Sequence, residues 1–165
     1  MLTVSAYNAL ESILLWGLLA TIVMTTIMQG SQGMGFSRLS LPFLVGTFFT
    51  SNRRLASVLG ILCYLGGGWF FAALYFILFL RIGEANAWLG ALIGLAHGLF
   101  LLVVILPLLP EVHPRLATEY DGPTEDQRLE PPGFMGINYG YRTPLVTLVA
   151  HTAYGALLGA LFALP

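Results

Sequence analysis

Apolar residues form four long uncharged stretches along the chain, and the polar residues lie almost entirely between these stretches. Residues 55–80, 85–110 and 143–165 contain no charged side chain, and residues 1–37 contain only Glu11. A helix needs about 20 such residues to cross a hydrocarbon layer roughly 30 Å thick. The pattern therefore predicts an all-α integral membrane four-helix bundle, organised as a single transmembrane domain over residues 1–165.

The predicted transmembrane spans are residues 10–29, 55–80, 87–106 and 144–164. Asn8, Asn52, Asn86 and Thr143 lie at the predicted starts of the four spans, and we expect their side chains to cap these helices by accepting hydrogen bonds from free backbone N–H groups. A shorter apolar piece, residues 42–49, is too short to cross the membrane, so we expect an interfacial or re-entrant segment there. A long loop, residues 111–142, connects spans three and four.

The arginines predict how the chain is oriented. All seven basic residues are arginine, and six of them lie in the loops formed by residues 30–54 and 111–142. Only Arg81 lies on the opposite side. Because basic residues accumulate in cytoplasmic loops, we expect both of these loops in the cytoplasm and both termini outside.

Composition narrows the class of function. The chain has 57% hydrophobic and 9% charged residues, whereas a soluble domain has about 25% charged residues. A net charge of −1 gives no sign of nucleic-acid binding, so the expected partners are the lipid bilayer and other membrane subunits or further copies of this chain. No nucleotide loop, zinc spacing, nucleophile elbow or carboxylate pair occurs within a span, which favours a non-enzymatic protein without excluding an enzyme.

Glycines are concentrated in the predicted spans. Gly155 and Gly159 are spaced by four residues, and small residues at this spacing let helices approach closely in lipid. Gly66, Gly67 and Gly68 are consecutive near the middle of span two, where they cost roughly 2–3 kcal/mol relative to alanine. Two explanations stay open: a very close helix crossing, or a local unwinding that exposes backbone carbonyls to an ion or substrate.

Spans two and four share a short motif, glycine–three residues–small–Ala–Leu–aromatic, which begins at Gly68 and at Gly155. Both spans leave the cytoplasmic side in the predicted topology. The match indicates two parallel-duplicated helical hairpins, an arrangement that some transporters use. A chance match between glycine-rich helices is the alternative.

Two histidines define a candidate intramembrane site, since ionisable residues within spans are often functional. At 1.5 Å per residue, His97 lies about 15 Å from the outer boundary and His151 about 10 Å from the inner one. Cys63 lies at a similar depth, and Met24 lies about one turn nearer the cytoplasm. Such a layer could hold copper or haem. Alternatively, the histidines donate hydrogen bonds across a helix interface, for example near Tyr154, one turn from His151.

The long loop contains a second group of candidates. Glu111, His113 and Arg115 lie close together in sequence just after span three. They could supply a metal pair or an anion contact. A polar cap at the end of span three is the alternative.

The last third of the chain carries a set of short motifs, namely His113-Pro114-Arg115, Leu129-Glu130-Pro131-Pro132-Gly133, Asn138-Tyr139-Gly140, Thr143-Pro144 and His151-x-x-Tyr154-Gly155. This pattern resembles a group of small four-helix bacterial inner-membrane proteins of unassigned function. The resemblance implies a bacterial inner-membrane location and a loop that belongs to the fold. It implies no activity.

Three functions follow as expectations. The first is a non-enzymatic accessory or scaffolding subunit, or a self-associating module, because the sequence offers helix-packing surfaces and a loop large enough for a partner. The second is a small-solute transporter or channel built around residues 66–68. The third is a haem- or metal-binding redox protein that uses His97 and His151.

Overall fold

A computed structural model describes residues 2–118 and 122–164, and their side chains from residue 8 onward. These residues form six α-helices: α1 (Leu2–Gly33), α2 (Leu41–Phe49), α3 (Arg53–Ile82), α4 (Ala87–Phe100), α5 (Leu106–Val112) and α6 (Thr143–Leu161). A π-helical turn, Leu101–Ile105, joins α4 to α5, and a 3₁₀ helix, Phe134–Tyr139, precedes α6. No β-strand occurs in the described part of the chain, so the predicted all-α class is confirmed.

In the part of the chain that the structure describes, four helical segments are long and apolar enough to cross a membrane: Asn8–Gly33, Arg53–Ile82, Ala87–Val112 and Thr143–Leu161. The chain is therefore a multi-pass membrane protein. The third segment continues past its predicted end at residue 106, although it contains Pro107 and Pro110. Pro107 lies directly after the π-helical turn. The hydrogen bonds of this turn span one more residue than those of an α-helix, which leaves space for the proline ring beside the carbonyl groups of the preceding turn. The fourth helix ends at Leu161, three residues before the predicted end.

Two of the four predicted helix caps are confirmed; Asn8 is not a cap, because it lies inside α1, which begins at Leu2. The Asn52 side chain accepts hydrogen bonds from the backbone N–H groups of Arg54 and Leu55, and the Asn86 side chain accepts one from Leu89. Thr143 is not a cap. It is the first residue of α6, and its hydroxyl lies 2.8 Å from the Ser37 hydroxyl in a buried hydrogen bond.

The long helices form two hairpins, α1 with α3 and α4 with α6, which join where α1 packs against α6. Glycines determine the α4–α6 contact. A methyl group at Gly155 would overlap the backbone of Gly90, and one at Gly159 would overlap the carbonyl of Asn86. The predicted packing role of Gly155 and Gly159 is therefore confirmed, because only glycine permits this approach.

The two positions aligned by the shared motif have comparable places in their hairpins. Gly68 of α3 lies against Thr21 of α1, and Gly155 of α6 lies against Gly90 and Gly94 of α4. The hairpins themselves are joined unequally, since α1 packs on α6 whereas the backbones of α3 and α4 scarcely meet. The duplication of the hairpins stays a prediction.

The predicted interfacial segment, residues 42–49, is helical and corresponds to α2. The Ser40 side chain caps its first turn, and its close approach to α3 brings Gly46 against Ala56 and Gly60. Nine residues of helix span only about 14 Å, so α2 does not cross a membrane.

The loops formed by residues 30–54 and 111–142 lie at the same end of the helices and contact each other. Arg38 forms a 3.0 Å ion pair with Glu130, and its backbone N–H donates to the Tyr139 carbonyl at 2.7 Å. Two acids of the second loop, Glu119 and Asp121, lie outside the described residues. The contacts join the two loops on one side of the protein, as the four-span topology requires.

Candidate functional site

A pocket of about 310 Å³ lies between α3 and α4, with side chains of α1, α2 and α6 completing its wall. Its lining residues are Met24, Leu41, Val45, Cys63, Tyr64, Gly67, Gly68, Phe71, His97, Phe100, Leu101, Ile105, His151 and Tyr154. Cys63, Phe100 and Ile105 are exposed on the outer surface of the helices. The α3–α4 pocket is therefore open on the surface that faces lipid.

The structure brings all five candidate intramembrane residues to this pocket. Met24, Cys63, His97, His151 and Tyr154 come from four different segments, and all of them line it. The similar depths predicted from helix geometry are consistent with this arrangement. The side-chain directions, which the sequence left open, are supplied by how the helices pack.

The two histidine rings lie against each other in the wall of the α3–α4 pocket. Their centroids are 5.0 Å apart and their planes are inclined by 80°. His97 also stacks on Phe71, with a centroid separation of 4.3 Å. His151 is only 3% exposed and packs against Gly98, where a Cβ would lie 3.0 Å from the His151 Cβ. Because Gly98 has no side chain, His151 can occupy the space beside it.

The hydrogen bonds of each imidazole ring show which of its nitrogens have partners. Nδ1 of His151 lies 2.8 Å from the Thr147 carbonyl oxygen, which can only accept, so Nδ1 carries the proton. Nδ1 of His97 lies 3.4 Å from the Tyr75 hydroxyl, which has no other partner among the described residues. Neither Nε2 atom has a partner within the described part of the chain. The pocket therefore contains two imidazole nitrogens with unused hydrogen-bonding capacity.

Tyr154 connects α6 to α3 beside the pocket. Its hydroxyl donates to the Gly68 carbonyl oxygen at 2.6 Å, and its ring packs edge-on against Tyr75. The predicted hydrogen bond between His151 and Tyr154 is not observed among the described residues, because Nδ1 of His151 donates to the Thr147 carbonyl within α6 instead.

The three consecutive glycines of α3 have different environments. The helix is continuous through them, so the predicted alternative of a local unwinding is not observed. A Cβ at Gly68 would overlap the Thr21 side chain, whereas Cβ atoms at Gly66 and Gly67 would meet nothing within 4 Å. The close-crossing explanation therefore holds for Gly68 alone. Gly67 lines the α3–α4 pocket and leaves its wall open, and Gly66 is exposed outside it.

The geometry gives little support for the predicted copper or haem. Among the described residues, no group of three or more His, Cys, Asp or Glu side chains is placed to hold a metal ion. The rings of His97 and His151 touch, so no porphyrin plane fits between them as bis-histidine ligation would require.

The loop candidates His113 and Arg115 both bind backbone carbonyls of α2, and Arg115 caps its end. Nε2 of His113 donates to the Leu44 carbonyl at 3.0 Å, and Nδ1 accepts from the Arg115 backbone N–H at 3.1 Å. The Arg115 guanidinium donates to the carbonyls of Thr47 and Phe48, at 2.6 and 3.1 Å. The two Arg115 bonds satisfy carbonyl groups that the end of α2 leaves free, whereas the Leu44 carbonyl lies in the middle of this helix. His113 is the C-cap residue of α5, at the end of span three as predicted, but the loop folds back so that its side chain and that of Arg115 bind α2.

The environment of His113 favours its neutral form. Burial lowers the pKa of His113 below its ordinary value of 6.5, and the nearby Arg115 charge lowers it further, while the bond to the Leu44 carbonyl acts in the opposite direction. Glu111 is exposed and takes no part in these contacts. The predicted metal or anion site of Glu111, His113 and Arg115 is therefore not assembled.

Several residues of the site were missed from the sequence. Thr147 lies one helical turn before His151, a spacing that could have identified it. Tyr75 and Phe71 reach His97 from another helix and are distant in sequence, so no local signal marks them.

A comparison of the chain with known protein families, curated proteins and solved structures finds no match. The resemblance to small bacterial membrane proteins, based on motifs from His113 to Gly155, stays a prediction.

Proposed function

We propose that this protein binds an apolar molecule dissolved in the membrane, and that it does so in the α3–α4 pocket. The observation that carries the proposal is an apolar pocket, within the spanning helices, that also contains two imidazole nitrogens without a hydrogen-bond partner among the described residues. Ligand sites typically combine an apolar wall with a few convergent polar groups. Polar groups left unpaired in hydrocarbon are costly, and a ligand that pairs with them relieves that cost.

The dimensions and opening of the pocket support this proposal. Its volume of about 310 Å³ is at the lower end of the range for small-molecule sites, roughly 300–1,000 Å³. Exposed residues at its edge, including Phe100 at 54% exposure, give a ligand lateral access from lipid. Entry from lipid requires no passage through the loops.

The proposed role is that of a non-enzymatic accessory subunit that holds such a molecule. Among the described residues, no carboxylate, serine or threonine lines the pocket. The other two predicted functions receive less support. Transport through an unwound helix would need a break at residues 66–68, where α3 is continuous, and redox chemistry at haem would need separated histidine rings.

We also propose a bacterial inner-membrane location with the loops 30–54 and 111–142 in the cytoplasm and both termini outside. The arginine distribution supports this orientation. The ion pair between Arg38 and Glu130 supports a common side for the two loops, which any version of this topology needs.

Photolabelling of the reconstituted protein tests the binding proposal. A membrane-partitioning alkyl diazirine should label peptides from α3 and α4 that line the α3–α4 pocket. The Gly67→Leu substitution should reduce this labelling about tenfold because the leucine side chain occupies pocket volume. Gly66→Leu is the matched control, since it adds the same side chain at the adjacent open position outside the pocket. Equal labelling of the two variants would contradict the proposal.

A further inference from the structure

The hydrogen-bonding pattern of the α3–α4 pocket restricts the polar group of its ligand. His151 is the acceptor in this pattern. Its Nδ1 proton is committed to the Thr147 carbonyl, so in the neutral ring Nε2 holds a lone pair. His151 is 3% exposed and lines the pocket, and its Nε2 has no partner in the described part of the chain. A ligand must therefore present a donor to His151.

His97 has the complementary state. The Tyr75 hydroxyl lies 3.4 Å from Nδ1 of His97, its one partner among the described residues. Either atom can donate, and we assign the donor role to Tyr75, because a buried hydroxyl proton otherwise has no described acceptor; this assignment leaves the His97 proton on Nε2. His97 thus offers a donor to the same pocket to which His151 offers an acceptor. No hydrogen bond joins the two rings within the described residues, so they do not satisfy each other.

The two rings lie close enough to act on one group. Their centroids are 5.0 Å apart, and both line a pocket whose remaining side chains are almost all apolar. A hydroxyl group can accept from one nitrogen and donate to the other. An ether, ester or ketone oxygen can only accept, and would leave His151 unpaired.

From this pattern we infer that the α3–α4 pocket selects a lipophilic alcohol or phenol, whose hydroxyl accepts from His97 Nε2 and donates to His151 Nε2. The inference rests on the proposed function, because it names the class of the apolar ligand. The hydrocarbon part of the ligand contacts Phe71, Phe100 and Leu101 and extends into lipid through the open side.

Displacement of the alkyl diazirine by competitors of matched chain length tests the inference. The probes are dodecanol, dodecyl methyl ether and dodecane, with 4-octylphenol as an arm that separates an aromatic from an aliphatic alcohol. We expect a hydroxyl compound to bind about tenfold more tightly than the ether, since it makes one further hydrogen bond to a buried group. Tighter binding of dodecanol than of the ether supports the inference and indicates an aliphatic alcohol. Tighter binding of octylphenol than of the ether supports it and indicates a phenol.

Two histidine variants test the acceptor role of His151 and the donor role of His97 separately. In His151→Phe the preference for dodecanol over the ether should disappear, because the acceptor is lost. In His97→Phe that preference should persist, while the preference for the ether over dodecane should disappear. Both substitutions keep a planar ring, and the competitor ratios in the unmodified protein remain informative if either variant fails to fold.

The outcomes distinguish a failure of the hydroxyl selection from a failure of the proposed binding function. If the alcohol, the ether and the alkane displace the probe equally, the pocket binds apolar molecules but the hydroxyl selection is wrong. If none of the competitors displaces the probe, both the inference and the proposed function fail. If His97→Phe and His151→Phe change the ratios identically, the assigned donor and acceptor roles are wrong.

Discussion

The two sides of α4 show opposite ways of meeting a neighbouring helix. Toward α6, Gly90 and Gly94 lie against Gly155 and the backbones approach so closely that no side chain fits between them. Toward α3, the backbones stay apart, and His97 reaches across to Phe71. In lipid, helices associate through close packing, so small residues close an interface and large residues hold it open. The α3–α4 pocket exists because one side of α4 carries glycines and the other does not.

The π-helical turn lies at the edge of the open side. It comprises Leu101–Ile105, and its residues Leu101 and Ile105 both line the α3–α4 pocket. Such turns are frequent at functional sites because they redirect side chains within a helix. Here the turn coincides with the side of α4 that does not close.

The largest expected effect comes from breaking the closed side. Gly155→Leu should destabilise the protein by more than about 3 kcal/mol, because the side chain would overlap the Gly90 backbone, which cannot move aside. Thermal unfolding in mild detergent measures the effect. Gly66→Leu, at an open helical position, is the control and should leave the midpoint unchanged or raise it. Equal midpoints for the two variants would mean that the α4–α6 contact is not needed for stability.

A smaller effect is expected at the hydrogen bond that ties α6 to α3 beside the pocket. Tyr154→Phe keeps the ring but removes the 2.6 Å bond to the Gly68 carbonyl, and should cost about 1 kcal/mol. Denaturant unfolding in detergent measures the free energy of unfolding. Tyr141→Phe is the control because Tyr141 is exposed. A Tyr154→Phe protein as stable as the control would exclude this bond as a restraint on the open side.

The smallest expected effect concerns His113, a buried histidine whose two ring nitrogens both have hydrogen-bond partners. In contrast to His151, His113 donates to Leu44 and accepts from the Arg115 N–H, so protonation of its Nδ1 would break a bond. Because folding lowers the pKa of His113 below 6.5, the unfolded chain binds a proton first as pH falls. Stability should therefore decrease as pH falls below about 6.5, and should be fully present above that value.

Unfolding midpoints at several pH values, combined with hydrogen exchange of α2, measure this dependence. In His113→Gln the decrease below about pH 6.5 should be reduced. An identical pH profile for the variant would show that another group is responsible for any acid sensitivity.

Local sequence predicted individual elements better than their contacts. The side-chain oxygens of Asn52 and Asn86 cap their helices as expected, because capping depends on residues within one turn. Thr143 failed as a cap because its hydroxyl instead bonds to Ser37, which is distant in sequence. His113 lies at the predicted end of span three, but its side chain and that of Arg115 bind carbonyls of α2, because a chain reversal decides which carbonyls they meet.

The sequence by itself determined that this is an all-α multi-pass membrane protein and that His97 and His151 lie at similar depths. Hydrophobic length and helical rise, which are local properties, are sufficient for both. Only the tertiary structure decided that α4 closes on α6 and stays apart from α3, and that the two histidines face one pocket. That outcome depends on how the helices are rotated about their axes, which is determined jointly by the shapes of several helices.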